Sequence, residues 1–218
     1  MKKQLKPRTD NHFDYVRSIS ENTVTLCTGP AGSGKSFIAA GMACQYLQEG
    51  KVKKILVTRP MVQAGRDTLG FLKGTLEEKV MPFMSPMIEH LIYFLGKDNL
   101  ADMVKENIVQ IKPLELIRGE NFYNSFIVGD EFQNADYGQI KAVLSRFHKG
   151  CKVVLNGDHN QSDLFYEETK CDYEIAINKL KNLNGLGIVN LTYRDIQRDK
   201  IVAPILKRLE PHENIYNL

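Results

Sequence analysis

The chain has 218 residues, 43% hydrophobic and 25% charged, with a formal net charge of +3. That is enough material for one α/β domain with a buried core, and the slight positive balance permits a basic groove without marking a nucleic-acid binder. No apolar run is long enough to span a bilayer, the first residues do not read as a signal peptide, and Cys27, Cys44, Cys151 and Cys171 form no Cys-x-x-Cys pair, so reduced structural thiols, a cytoplasmic location and no membrane or zinc site are expected.

In chain order, residues 1–12 read as a polar arm and 13–20 as a short helix. The apolar run 23–28 predicts a strand. It leads into Gly29-Pro30-Ala31-Gly32-Ser33-Gly34-Lys35-Ser36. This is a complete phosphate-loop pattern, Gly-x4-Gly-Lys-[Ser/Thr], followed by a helical pattern over 35–48. Further strands are predicted at 54–58, 108–112, 125–129, 151–156 and 187–191, and helices at 135–147, 173–183 and 199–209. The stretch 72–107 breaks this alternation. It carries Met81, Met84, Met87, Ile88, Leu91, Ile92 and Leu95 at helical spacings, which predicts a helical insertion. Its Met-rich stripe is expected to pack on the sheet, with a partner surface as the alternative. The whole reads as one domain over 1–218, a mostly parallel sheet flanked by helices.

Three elements carry chemistry. The glycines of the first let the main chain close round phosphates, and the helix that follows directs its N-terminal amides at the anion. Lys35 is expected to reach the β and γ phosphates of a nucleoside triphosphate, and the Ser36 hydroxyl to ligate Mg²⁺. The second element is the apolar strand 125–129, which ends in Asp130 and Glu131. Asp130 is expected to hold Mg²⁺, and Glu131 to act as general base on the attacking water. The third is the turn after strand 151–156, where Gln161 is the candidate sensor of the γ-phosphate and His159 is expected to be a solvated turn residue. Gly129, just before the acidic pair, is expected to allow close packing.

Together these elements resemble the PhoH-like family of ATPases, related to superfamily 1 helicases, over about residues 10–210. The resemblance includes Thr58-Arg59-Pro60-Met61-Val62-Gln63-Ala64-Gly65, Ile117-Arg118-Gly119, Asp130-Glu131-Phe132-Gln133-Asn134 and Asp195-Ile196-Gln197-Arg198. It implies a RecA-like P-loop NTPase fold, ATP and Mg²⁺ as cofactors, and RNA or single-stranded DNA as a coupled ligand touched by Arg59 and Arg118. It further implies a homo-oligomer, with a ring as one form. It implies a nucleotide-facing Arg198, acting in trans on a neighbouring subunit, in cis on its own cleft, or merely as a helix cap. It also implies that Tyr15 and the residue three places before it contact the nucleotide, the latter reading the adenine. His12 stands there, and an imidazole lacks the paired donor and acceptor of an amide, so base preference stays open. No nuclease or added RNA-binding segment is recognisable, and ribonuclease activity is not expected.

From the residues alone, Arg59 reads as a surface salt-bridge partner, and Phe122 and Tyr123 read as core rather than as base-stacking groups. A thymidine-kinase-type nucleoside kinase is the alternative enzyme class, since it shares the Asp-Glu-x-Gln element. It normally carries a cysteine-rich zinc lasso that this sequence lacks.

Overall fold

Strands buried on both faces read as continuous apolar runs, because neither face needs polar residues. The computed structural model describes residues 3–61, 76–117, 119–158 and 171–209, and in it the six predicted runs form one parallel sheet. They are β1 (Val24–Thr28), β2 (Lys54–Arg59), β3 (Val109–Pro113), β4 (Ser125–Gly129), β5 (Lys152–Gly157) and β6 (Leu186–Asn190), in the spatial order β3-β2-β4-β5-β1-β6. Each lies within a residue or so of its predicted place.

The alternation of side chains divides the core in two. Cys27, Ile55, Val57, Val109, Phe126, Val128 and Val154 face one side. They pack against α1 (Asp10–Glu21), α2 (Lys35–Gln48), α3 (Leu76–Leu95) and α4 (Lys97–Lys105). Val24, Leu26, Leu56, Ile127, Val153 and Leu155 face the other, under α5 (Tyr137–Leu144) and α6 (Asp172–Leu180). The final helix, α7 (Val202–Leu209), has no buried residue.

Helix ends depart from expectation for local reasons. The first helix begins three residues early because Thr9 caps it, its hydroxyl accepting from the His12 amide. Helix α5 starts at a reciprocal capping box between Asp136 and Gln139, and it stops before Phe147. There the chain is captured by Phe122, whose N–H donates to the Arg146 carbonyl while the His148 N–H donates to the Phe122 carbonyl, both at 2.9 Å. The described part of the insertion is helical as expected, and its Met84, Met87, Leu91 and Phe94 pack over α2.

Because all strands run parallel, their C-terminal ends share one edge. The register aligns Thr28 with Gly157 and with Asn190, and Thr58 with Gly129. With β5 between β1 and β4, the phosphate-loop pattern, the acidic pair and Asp158 emerge side by side. The glycine before the acidic pair has a steric reason. A Cβ on Gly129 would run into the Phe132 ring and lie 2.7 Å from Leu155 Cδ2. Gly129→Ala should therefore lower stability by about 1–3 kcal/mol through overpacking. Urea denaturation measures this, and an unchanged midpoint would show that the Phe132 ring can move aside freely.

Candidate active site

Residues 29–34 make the turn from β1 into α2. The loop holds itself: the Ser33 hydroxyl donates to the Pro30 carbonyl at 2.7 Å. Lys35 Nζ lies over it, donating to the carbonyls of Gly29 at 2.5 Å and Pro30 at 3.0 Å. Gly32 sits at φ +76°, and a Cβ there would come within 2.9 Å of Arg198 Cγ. Glycine is thus required both by the left-handed turn and by the arginine laid against it. Gly34 stands at the N-cap of α2 without a side-chain cap, so the first amides of α2 face the loop.

Across the sheet edge, the Ser36 hydroxyl donates to Asp130 Oδ1 at 2.7 Å. Asp130 is 5% exposed. Burial and then the neighbouring Glu131 push its carboxyl pKa up, against the opposing pull of Ser36, Arg59 and Lys35. Glu131 has left-handed backbone, φ +55°, costly for a residue with a side chain. The turn breaks strand alternation, so both carboxylates line the same cleft. The Glu131 side chain is held twice. Gln133 Nε2 donates to it at 2.6 Å, and Arg59 Nη2 lies 4.0 Å away. The other end of Gln133 accepts from the Asp158 amide at 3.0 Å, linking the acidic turn to the end of β5.

Arg59 is therefore turned inward rather than offered to a polynucleotide. Its Nη1 donates to the Phe83 carbonyl of α3 at 3.0 Å, in the stretch bounded by Pro82 and Pro86. This is the salt-bridge role that its residue type alone suggested. The other expected nucleic-acid contact, Arg118, lies outside the described residues, as do Gln161 and His159.

The remaining wall comes from both flanks of the chain. His12 is 3% exposed, with Nε2 at 2.8 Å from the Ser33 carbonyl while Nδ1 accepts from the Arg8 amide at 3.3 Å. An acceptor on one side and a donor on the other place the imidazole proton on Nε2. One ring nitrogen thus holds the phosphate loop and the other the Arg8 main chain, while the ring lines the cleft. Tyr15 departs from its expected nucleotide contact. It is fully buried, and its hydroxyl donates to Asn156 Oδ1 at 2.5 Å.

Asp195 ties the two flanks together. Its carboxylate accepts from Thr9 Oγ1 at 2.5 Å, Asn11 Nδ2 at 2.8 Å and the Thr192 amide at 2.7 Å. Burial works to raise its pKa, but these hydrogen bonds, that of Asn11 foremost, bring it below the usual carboxylate value. Just beyond, the Gln197 amide donates to the Gly32 carbonyl at 2.9 Å, which lays Arg198 on the loop of its own chain.

These pieces enclose a cleft of about 430 Å³. Lys6, Arg8, Lys35 and Arg198 supply cations on the loop side; Asp130, Glu131 and Asp158 supply carboxylates opposite. Such a division suits a polyanion carrying a hard divalent cation between the two walls. A hydroxyl and a buried carboxylate 2.7 Å apart are oxygen donors of the kind Mg²⁺ takes alongside phosphate oxygens and water. Ser36 and Asp130 would hold it. Gln133, Asp158 and Asp195 belong to the site although sequence reading gave them no role. Gln133 was visible only as part of the Asp-Glu-x-Gln run, and nothing in spacing reveals that it bridges two strands.

The family model described as PhoH-like protein matches residues 4–210. The PhoH-like protein of Synechocystis is 35% identical over 210 residues, covering 96% of this chain and 63% of that protein. The Bacillus subtilis PhoH-like protein is 35% identical over 205 residues, covering 94% and 64%. The chain thus spans less than two thirds of the length of these relatives. Among solved structures, the large terminase from a thermophilic bacteriophage superposes with a TM-score of 0.58 at 12% identity, over 97% of this chain and 52% of that one. The UvsW helicase from bacteriophage T4 superposes with 0.53 at 17% identity, over 86% and 61%. These likenesses show the fold, the RecA-like P-loop architecture expected from the sequence. No described helix is long and apolar enough to cross a membrane.

A carboxyl whose folded pKa is raised binds its proton more tightly folded than unfolded. Its effect on stability is therefore lost as pH rises through the folded value. Asp130→Asn removes that loss while keeping an acceptor for Ser36. In metal-free, nucleotide-free solution at neutral pH, the variant should melt at a higher temperature than the parent and show a flatter pH dependence of stability above pH ~4, the unfolded carboxyl value. A lower melting temperature would contradict the burial-driven shift.

Proposed function

The chain belongs to the PhoH family, and from that premise we propose that it is a Mg²⁺-dependent ATPase whose turnover is coupled to RNA or single-stranded DNA. The observation that carries the reading is the Ser36–Asp130 bond beneath a cation-lined loop, with Glu131 beside it. Main-chain amides at the start of α2 and the Lys35 ammonium bind and orient the triphosphate. Ser36 and Asp130 would hold Mg²⁺, which when bound would supply charge neutralisation to the phosphates.

Glu131 accepts the proton of the attacking water at its carboxylate, and Gln133 with Arg59 keeps that carboxylate aimed at the cleft. Arg198 neutralises charge gathering on the γ-phosphate from within the same chain, since Gln197 and Gly32 bring it to its own loop. Gln161 remains the proposed water- and γ-phosphate-sensing group. Polynucleotide coupling is supported by the family relation; the assembly is proposed as a homo-oligomer.

Lys35→Ala should abolish nucleotide binding, whereas Glu131→Gln should keep binding and lose about 10²–10⁴ in kcat. Phosphate release and nucleotide titration separate the two. Robust hydrolysis by Glu131→Gln, or transfer of phosphate to an added nucleoside, would overturn the reading. Arg198→Ala should lower kcat by about 10³. Mixing it with Glu131→Gln protein should restore nothing, because each arginine serves its own cleft; recovered activity in mixed oligomers would show action in trans.

A further inference from the structure

The loops entering the strands gather at the pole opposite the cleft. There Lys53 precedes β2 and Lys54 opens it, Tyr123 and Asn124 precede β4, and His148 and Lys149 precede β5. Tyr123 is 57% exposed, contrary to the core position its residue type suggested, while Phe122 beside it is buried as expected. Its ring stacks on the exposed His148 ring, centroids 4.1 Å apart and planes 12° from parallel. The pair is set by main-chain bonds on either side. Phe122 pairs with Arg146 and His148, and the Lys53 amide donates to the Asn124 carbonyl at 2.7 Å.

Beside this stack lies a second groove of about 440 Å³, lined by Lys53, Lys54, Gln110, Asn121, Tyr123 and Asn124. Its acidic residue, Glu120, is already neutralised by Lys112 at 2.8 Å. Lys53, Lys54 and Lys149 form no ion pair among the described residues. Uncompensated ammonium groups next to a fixed aromatic stack and several amide side chains match one ligand chemistry. Phosphates take the lysines, a base takes the open aromatic face, and amides reach base or sugar edges.

We infer that this groove grips a single-stranded polynucleotide, with Tyr123 and His148 as the base platform and Lys53 and Lys54 as phosphate contacts. The inference rests on the proposed coupling to a polynucleotide and adds where the strand is held. The groove opens at the first residues of β2 and β4, whose far ends carry Arg59 and the Asp130–Glu131 pair. The two sites are thus separated by the length of a strand, about 20 Å at ~3.3 Å per residue. Strand engagement acts on hydrolysis through the sheet, and substitutions in the groove leave basal turnover intact.

The test is fluorescence anisotropy of labelled oligouridine and oligothymidine on the purified chain, with ATPase measured with and without each oligomer. Tyr123→Ala should weaken binding about tenfold without changing its salt dependence, and Tyr123→Phe should restore it. Lys53→Gln combined with Lys54→Gln should reduce the slope of log affinity against log salt by about 1.4, close to 0.7 per lost phosphate contact. Basal ATPase should stay at the parent level in all three, and stimulation should fall with binding. Preference between the two oligomers identifies RNA or DNA as the source. If the parent binds and the variants bind equally well, the groove is refuted while the coupling stands. If the parent binds neither oligomer, the groove and the coupling fall together.

Discussion

The bond from Ser36 to Asp130 sets a demanding constraint on everything around it. The hydroxyl belongs to the helix leaving β1, and the carboxylate belongs to the end of β4, two strands away. They meet only if β5 lies between those strands and all three end at one edge in register. The phosphate-loop helix must also press close to the sheet, which is why α2 is buried along much of its length, from Ile38 to Cys44. The cost is electrostatic: a carboxylate is held where water cannot solvate it, and its proton is correspondingly hard to remove. A carboxylate so placed is poorly stabilised by the protein alone.

A second constraint concerns closure. Residues 8–12 and 192–198 are far apart in sequence, yet they meet on the phosphate loop through the Asp195 carboxylate and the His12 ring. Arg8 also donates to Gln197 at 3.1 Å. The loop therefore has a floor of imidazole and a side wall of arginine, each held by buried polar groups whose partners are nearly all accounted for. Glu131 is handled similarly. Its strained backbone is tolerated because Gln133 and Arg59 fix the side chain and the 3-10 turn Phe132–Asn134 packs beneath.

A parallel sheet has two unlike poles. Strand ends at one carry the phosphate-loop motif and the acidic pair; strand starts at the other carry lysines, amides and the Tyr123–His148 stack. Strands β2 and β4 run between them, pinned together from Lys54–Ser125 to Thr58–Gly129. Rigid paired strands are a reasonable carrier of coupling between such poles, since a shift at one end has little slack to dissipate in a close-packed core.

By itself the sequence determined the local elements and the chemistry of contiguous motifs. Strand runs, the helix after the phosphate loop, the steric need for Gly129, and Ser36, Asp130 and Glu131 as candidate site residues were all legible, because periodicity and motif spacing are properties of neighbouring residues. Tertiary structure alone decided what depends on residues distant in the chain. It turned Arg59 towards Glu131, buried Tyr15 against Asn156, committed both nitrogens of His12, made Gln133 a bridge to Asp158, exposed Tyr123, and laid Arg198 on its own loop. The physical reason is common to all six. A polar or aromatic side chain takes its role from the partner it finds, and those partners are set by strand order and packing rather than by adjacent sequence.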